Sequence, residues 1–324
     1  MQKSKYEISI VVPFYNEQEN VLELYTRLKN VLDELKRTYE IIFVDDGSKD
    51  KTYVIAKEIQ QKDPHVALIR LRRNFGQTAG LAAGFDSAQG DIIIAMDGDL
   101  QHFPEDIPLL IQKIDEGYDI ASGWRAVRVD NFFIRRLPSM IANRLMAWLS
   151  GIRLHDFGTT FKAYRREILE DVDLYGELHR FIPALASWQG VSIAEVPIRN
   201  IVRPRGKSKY GLSRTFRVLM DLLTVKFMIS YVARPLHFFG SVGLLFFGIG
   251  FIVALIITLF YYFGGLVIKD NLGNLIFSML MMVLGVQLIA IGLSLEVSSR
   301  IYHTTHDRRI YAIRSVDRYA QHTA

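Results

Sequence analysis

The chain has 324 residues, half of them apolar and 12% aromatic, enough for one large domain with an added element and too little for a multi-domain machine. It has no cysteine, which excludes disulfide staples and thiolate metal sites and leaves oxygen or imidazole as metal ligands. The net charge of +5 is unevenly spread: residues 199–217 hold seven basic side chains and no acidic one, a patch suited to nucleic acid, anionic lipid or a phosphorylated substrate.

The N-terminus enters a strand-like run almost at once and lacks the basic, apolar and small-residue layout of a signal peptide. Apolar runs at residues 7–14, 39–44, 66–71 and 91–96 read as buried strands. Between the first two, Val21, Leu24, Leu28, Val31, Leu32 and Leu35 follow helical spacing, and further helices are predicted over 51–62 and 76–88. This alternation predicts an α/β fold with a parallel, doubly wound sheet covered on both faces. Ligands of such sheets sit at the carboxyl ends of the strands.

Three polar segments fall on that edge: Pro13-Phe14-Tyr15-Asn16-Glu17, Asp45-Asp46-Gly47-Ser48 and Asp97-Gly98-Asp99-Leu100-Gln101. Glycine-rich dinucleotide and Walker-type loops are absent, and carboxylates stand in their place. That pattern suits a diphosphate neutralised by a divalent cation, Mg²⁺ or Mn²⁺, both of which take oxygen ligands. Alone, Asp97 and Asp99 could equally cap the following helix. Their place after a strand, beside Asp45 and Asp46 from another strand end, favours the metal.

Further along, residues 132–149 form an amphipathic stretch broken by Pro138, with Arg135 and Arg136 beside its apolar face. It reads either as a helix in a lipid interface or as one packed on the sheet. A second interfacial helix is predicted over 216–232. Residues 236–268 and 275–295 then carry no charged side chain, and each exceeds the roughly 20 apolar residues a membrane span needs. Gly240, Gly243, Gly248, Gly250, Gly285 and Gly292 suit close packing of the two helices. The competing reading is a pair of buried core helices. Arg214, Arg217, Lys226 and Arg234 precede the pair, and Arg300, Arg308 and Arg309 follow it, whereas the loop between holds only Lys269 and Asp270. The positive-inside rule then places both ends in the cytoplasm. The tail from residue 301 reads as a surface strap or a partner contact, with His303 and His306 solvated rather than metal-binding.

Taken in order, VVPFYNEQEN, VDDGSKD, RNFGQ, MDGDLQHFPE, DFGTTFKAYRRE and RGKSKYGLSRT resemble the family-2 inverting glycosyltransferases of the GT-A fold. More narrowly they resemble the polyprenyl-phosphate branch, which includes dolichol-phosphate mannose synthases and bacterial undecaprenyl-phosphate glucosyltransferases. The resemblance covers about residues 7–235. It implies that Pro13, Tyr15, Asn16, Glu17, Asp45 and Asp46 line a nucleoside pocket. Asp97 and Asp99, assisted by Gln101, would bind the metal and diphosphate. Arg125, Arg135 and Ser139 would receive a lipid phosphate. Asp156 aligns with the residue usually assigned as catalytic base, although an ionised phosphate acceptor leaves it an orienting role as well. Arg203, Arg205 and Lys209 belong to a loop that would close over the diphosphate, or to a polybasic segment drawn to anionic lipid.

The domains implied are a catalytic domain over 1–210, an interfacial region over 211–235, a transmembrane hairpin over 236–300 and a cytoplasmic tail over 301–324. The expected reaction is inverting transfer of a sugar from a nucleotide-diphosphate sugar, UDP-hexose in preference to GDP-mannose, to polyprenyl (undecaprenyl) phosphate. It would take place at the cytoplasmic face of the inner (plasma) membrane. The expected partners are donor, lipid acceptor and bilayer, with homo-oligomers allowed and nucleic acid not expected. A catalytically silent membrane adaptor and a polysaccharide synthase are the alternatives.

Overall fold

A computed structural model describes residues 5–126, 147, 152, 154–170, 172, 174, 178–186, 190–199, 201, 235–264, 271–304 and 310–319. The chain forms two compact units, one of residues 1–225 with 309–324 and one of residues 226–308.

The first unit is built on an eight-stranded sheet of order β7-β5-β6-β4-β1-β2-β3-β8. Its strands are β1 (Tyr6–Phe14), β2 (Tyr39–Asp45), β3 (Val66–Leu71), β4 (Gly90–Ala95), β5 (Ile120–Trp124), β6 (Lys162–Arg165), β7 (Ile193–Pro197) and β8 (Ile313–Asp317). β1 pairs in parallel with β2 and β4, β2 with β3, and β5 with β7. The predicted parallel sheet is therefore mixed. β6 runs against both β4 and β5, and β8 runs against β3. The reversal at β6 matters for the site: its first residue, Lys162, pairs with Ala95 and Ser122, so the segment leading into β6 reaches the carboxyl edge of its neighbours.

The central strands are apolar on both sides because both faces are covered. Ile8, Ile10, Val12 and Phe14 of β1 face one core with α1 (Val21–Glu34), α2 (Thr52–Lys62) and α4 (Ile107–Asp115). Val11, Ile42 and Val44 face a second core with α3 (Gln77–Ser87). α1 buries Val21, Leu24, Leu28, Val31 and Leu32, the spacing of one helical face. α3 lies very close to β1, since a Cβ at Gly84 would stand 2.2 Å from Val11 Cγ1. Two short helices, α5 (Arg166–Glu170) and α6 (Ile182–Leu185), complete this layer.

The second unit is a pair of long apolar helices, α7 (Pro235–Phe263) and α8 (Leu272–Thr304). A Cβ at Gly243 or at Gly285 would meet the other's carbonyl at 2.6 Å, and one at Gly250 would meet Ser278 O at 2.5 Å. Residues 236–263 and 272–298 are long and apolar enough to cross a membrane, and only 11% and 17% of their most apolar windows are buried within the structure.

Candidate active site

Strand order places β2 and β4 on opposite sides of β1, so the helix crossovers diverge there and open a crevice at the carboxyl edge. A cleft of about 220 Å³ occupies it, lined by Pro13, Phe14, Tyr15, Glu17, Asp46, Asn74, Gly76, Gln77, Asp97, Gly98 and Asp99. A larger hollow of about 350 Å³ lies at the opposite edge, where Arg37 and Asp115 already pair with each other. The chemistry-bearing side chains converge on the smaller one.

Of the residues expected around a nucleoside, Pro13, Tyr15, Glu17 and Asp46 line the cleft. Asn16 and Asp45 support it from behind. Asn16 stands at φ 56°, where its backbone N–H donates to Ser48 Oγ at 3.0 Å and its Oδ1 accepts from Lys49 N at 2.9 Å. Asp45 is buried, accepts from Ser48 N at 3.2 Å and lies 3.4 Å from Arg70 Nε. Asp46 accepts from the backbone N–H groups of Phe75 and Gly76 at 2.7 and 2.9 Å. Burial raises its pKa to about 6 despite those two bonds, and Asp45 adds to the rise.

Asp97 and Asp99 follow β4 and both face the cleft. Burial, reinforced by Asp99, raises the pKa of Asp97. Asp99 Oδ1 accepts from the backbone of Gln101 at 3.1 Å, which folds the loop back on itself. Gln101 O in turn accepts from Ile201 N at 3.2 Å. Arg199, the first arginine of the basic run, is held by Asp106 through its backbone N–H at 2.8 Å and its guanidinium at 2.6–2.8 Å. The basic run thus starts beside the Asp97–Gln101 loop.

At the carboxyl end of β5, Arg125 grips Asp156 in a two-pronged ion pair, Nε to Oδ2 at 2.7 Å and Nη2 to Oδ1 at 3.0 Å. Asp156 is fully buried and also accepts from Gly158 N at 3.1 Å. Their chain neighbours pair as well: Trp124 stacks on His155 at 4.6 Å, and His155 meets Glu195 at 2.7 Å. Arg135, Ser139, Arg203, Arg205 and Lys209 lie outside the described residues, as does the interfacial region over 211–234.

Several side chains of the RNFGQ, MDGDLQHFPE and DFGTTFKAYRRE motifs have roles that the motifs alone do not reveal. Gln77 Nε2 donates to Asp97 Oδ1 and, at 3.1 Å, to Thr160 Oγ1. Lys162 is fully buried and donates to the carbonyls of Phe157 and Thr159, pinning the segment that carries Asp156. Burial lowers its pKa to about 8, with Asp156 opposing the shift and Arg125 adding to it. His102 is buried against Phe161 at 5.6 Å, and burial brings its imidazole down to about 3, so it is neutral at physiological pH. The motifs held the signal for these residues, but only the sheet order shows which of them meet.

Residues 9–173 match glycosyl transferase family 2, a stretch that covers about half of the 324 residues and contains Asp97, Asp99 and Asp156. The chain belongs to glycosyl transferase family 2. This glycosyltransferase is 39% identical over 317 residues to a dodecaprenyl-phosphate galacturonate synthase of Rhizobium johnstonii, covering 96% of this chain and 93% of that one. It is 35% identical over 313 residues to an undecaprenyl-phosphate 4-deoxy-4-formamido-L-arabinose transferase of an Enterobacter species, covering 96% and 94%. A crystal structure of glucosyl-3-phosphoglycerate synthase from Mycobacterium tuberculosis, in complex with Mn²⁺ and uridine-diphosphate-glucose, shares its fold. The TM-score is 0.54 at 20% identity, over 68% of this chain and 79% of that chain.

Proposed function

We propose that this glycosyltransferase moves a sugar from a nucleotide-diphosphate sugar to polyprenyl phosphate at the cytoplasmic face of a membrane. The observation that carries the reading is the meeting at one sheet edge of a two-aspartate cleft and the Arg125–Asp156 pair. Similarity along nearly the whole chain, at 39% and 35% identity, to two polyprenyl-phosphate transferases supports the acceptor class. A UDP-sugar is the favoured donor and GDP-mannose the alternative.

The residues of the cleft fit a divalent cation. Asp97 and Asp99 line the cleft together and offer hard oxygen ligands. Asp97 and Asp99 would hold such an ion, which when bound would supply charge neutralisation for the leaving diphosphate. Asn74, Gly76 and Gln77 bring the amino end of α3 to the same cleft, and helix amino ends favour anions. The basic run begins with Arg199, and its later cationic side chains, Arg203, Arg205 and Lys209, are assigned in this reading to the same diphosphate. The lipid phosphate oxygen attacks the anomeric carbon opposite the diphosphate, so the linkage inverts. That oxygen is already ionised at neutral pH. With both oxygens of Asp156 engaged by Arg125, the pair serves to orient the acceptor.

The helix pair is read as a membrane hairpin. β8 supports that reading: it follows α8 yet hydrogen-bonds to β3, so the chain on both sides of the pair belongs to one sheet. Both ends of the hairpin then emerge on the same side, as the flanking arginines suggest.

Release of nucleoside diphosphate from a panel of UDP- and GDP-sugars tests the reaction, with detergent-solubilised protein, Mn²⁺ or Mg²⁺, and with or without undecaprenyl phosphate. Turnover should require the lipid, vanish with EDTA and fall at least a hundredfold in Asp99→Ala. Turnover that ignores the lipid would refute the acceptor, and turnover that survives EDTA would refute the metal.

A further inference from the structure

Gln77 makes contacts that none of the roles above uses. Its carboxamide donates to both Asp97 and Thr160. One amide thus ties three side chains together. They come from three separate places: the first turn of α3, the carboxyl end of β4 and the segment leading into β6.

The backbone beneath Gln77 is firmly held. Asp46 binds the N–H groups of Phe75 and Gly76, and Gly76 takes φ 95°, a conformation open to glycine at little cost. The helix behind it is pressed onto β1 at Gly84. The amide is therefore presented from a fixed point. Its chemistry also suits the place. A carboxamide is a neutral donor, so it can orient a carboxylate without cancelling its charge. A lysine or arginine at the same position would compete with a cation for Asp97.

We propose that Gln77 is a positioning residue that, with Thr160, holds the Asp97 carboxylate in the orientation that meets a divalent cation. The same amide joins the cation loop to the 156–160 segment, so the donor side and the acceptor side are linked through one side chain. This rests on the reading of Asp97 as a cation ligand. Outer hydrogen-bond partners of metal ligands typically contribute about 10–100-fold to metal affinity.

The test is Mn²⁺ binding by the full detergent-solubilised chain, followed by electron paramagnetic resonance with Mn²⁺ alone as probe. Asp97→Ala should abolish binding. Gln77→Leu and Thr160→Val should each weaken it about 10–100-fold while the melting temperature stays near wild type. The double variant should lose less than the product of the two single losses, because both changes break the same amide bridge. In turnover assays, high Mn²⁺ should restore the kcat of Gln77→Leu. Wild-type affinity in Gln77→Leu, with binding lost in Asp97→Ala, would overturn this proposal and leave the metal reading standing. Binding that Asp97→Ala does not reduce would overturn both. Should Gln77→Leu fail to fold, wild-type affinity in Thr160→Val would overturn the proposal by itself.

Discussion

Asp46 has a different task from Asp97 and Asp99, although all three stand at strand ends above one cleft. Its two oxygens hold the backbone of the loop that starts α3, and its burial raises its pKa from 3.8 to about 6. An acid whose pKa is raised on folding contributes most stability below its unfolded pKa, near pH 4, and loses that contribution as pH rises through about 6. The amount is on the order of 3 kcal/mol. Unfolding of wild type and Asp46→Asn should therefore be compared from pH 4 to 7. The stability difference should shift in favour of the variant as pH rises through that window. A difference that stays constant would show that Asp46 does not titrate between those limits. Sequence alone could not separate these aspartates, because each follows a strand and only burial and partners distinguish them.

At the scale of elements, the helix pair shows which small residues matter. Six glycines suggested close packing, and the contact uses Gly243, Gly250, Gly285 and Gly292. Gly248 meets nothing within 4 Å, and Gly240 touches only Leu236 of its own helix. Gly285→Val should force the helices apart at a cost of about 1–3 kcal/mol, whereas Gly248→Ala should be close to neutral. Thermal unfolding in detergent, followed through helical circular dichroism, would compare them. Equal melting temperatures would dismiss the close contact. The heptad-blind run of apolar residues marked the helices plainly, but which face of each met the other was not readable from it.

For the molecule as a whole, the decisive feature is that the sheet extends beyond the helix pair. The tail after α8, expected to strap the surface or meet a partner, contributes β8 and a set of anchors. Tyr311 bonds Asp86, Asp317 pairs with Lys57 at 2.9 Å, and Arg318 reaches buried Glu40 at 3.3 Å. The catalytic unit thus draws on residues well past 210. β8 also covers the edge of β3, which would otherwise present unpaired backbone groups. A chain in which a flexible linker replaces 235–308 should keep the sheet and melt several degrees above one that stops at 225, as about 1 kcal/mol moves the midpoint of a domain this size by 2–4 °C. Equal midpoints would mean that β8 adds nothing to the sheet's stability.

The local sequence by itself determined the first four strands, the first three helices, the two long apolar segments and the carboxylates at the strand ends. Those features arise from periodicity, from long uncharged runs and from residues adjacent in the chain, so no distant contact is needed to read them. Tertiary structure alone decided that β6 reverses direction, that Arg125 closes on Asp156, that Gln77 meets Asp97, and that residues 313–317 return to the sheet. Each of these joins segments 20 or more residues apart, and strand β8 joins β3 from the far end of the chain. Pairings of that kind follow from strand order and register, which no local pattern specifies.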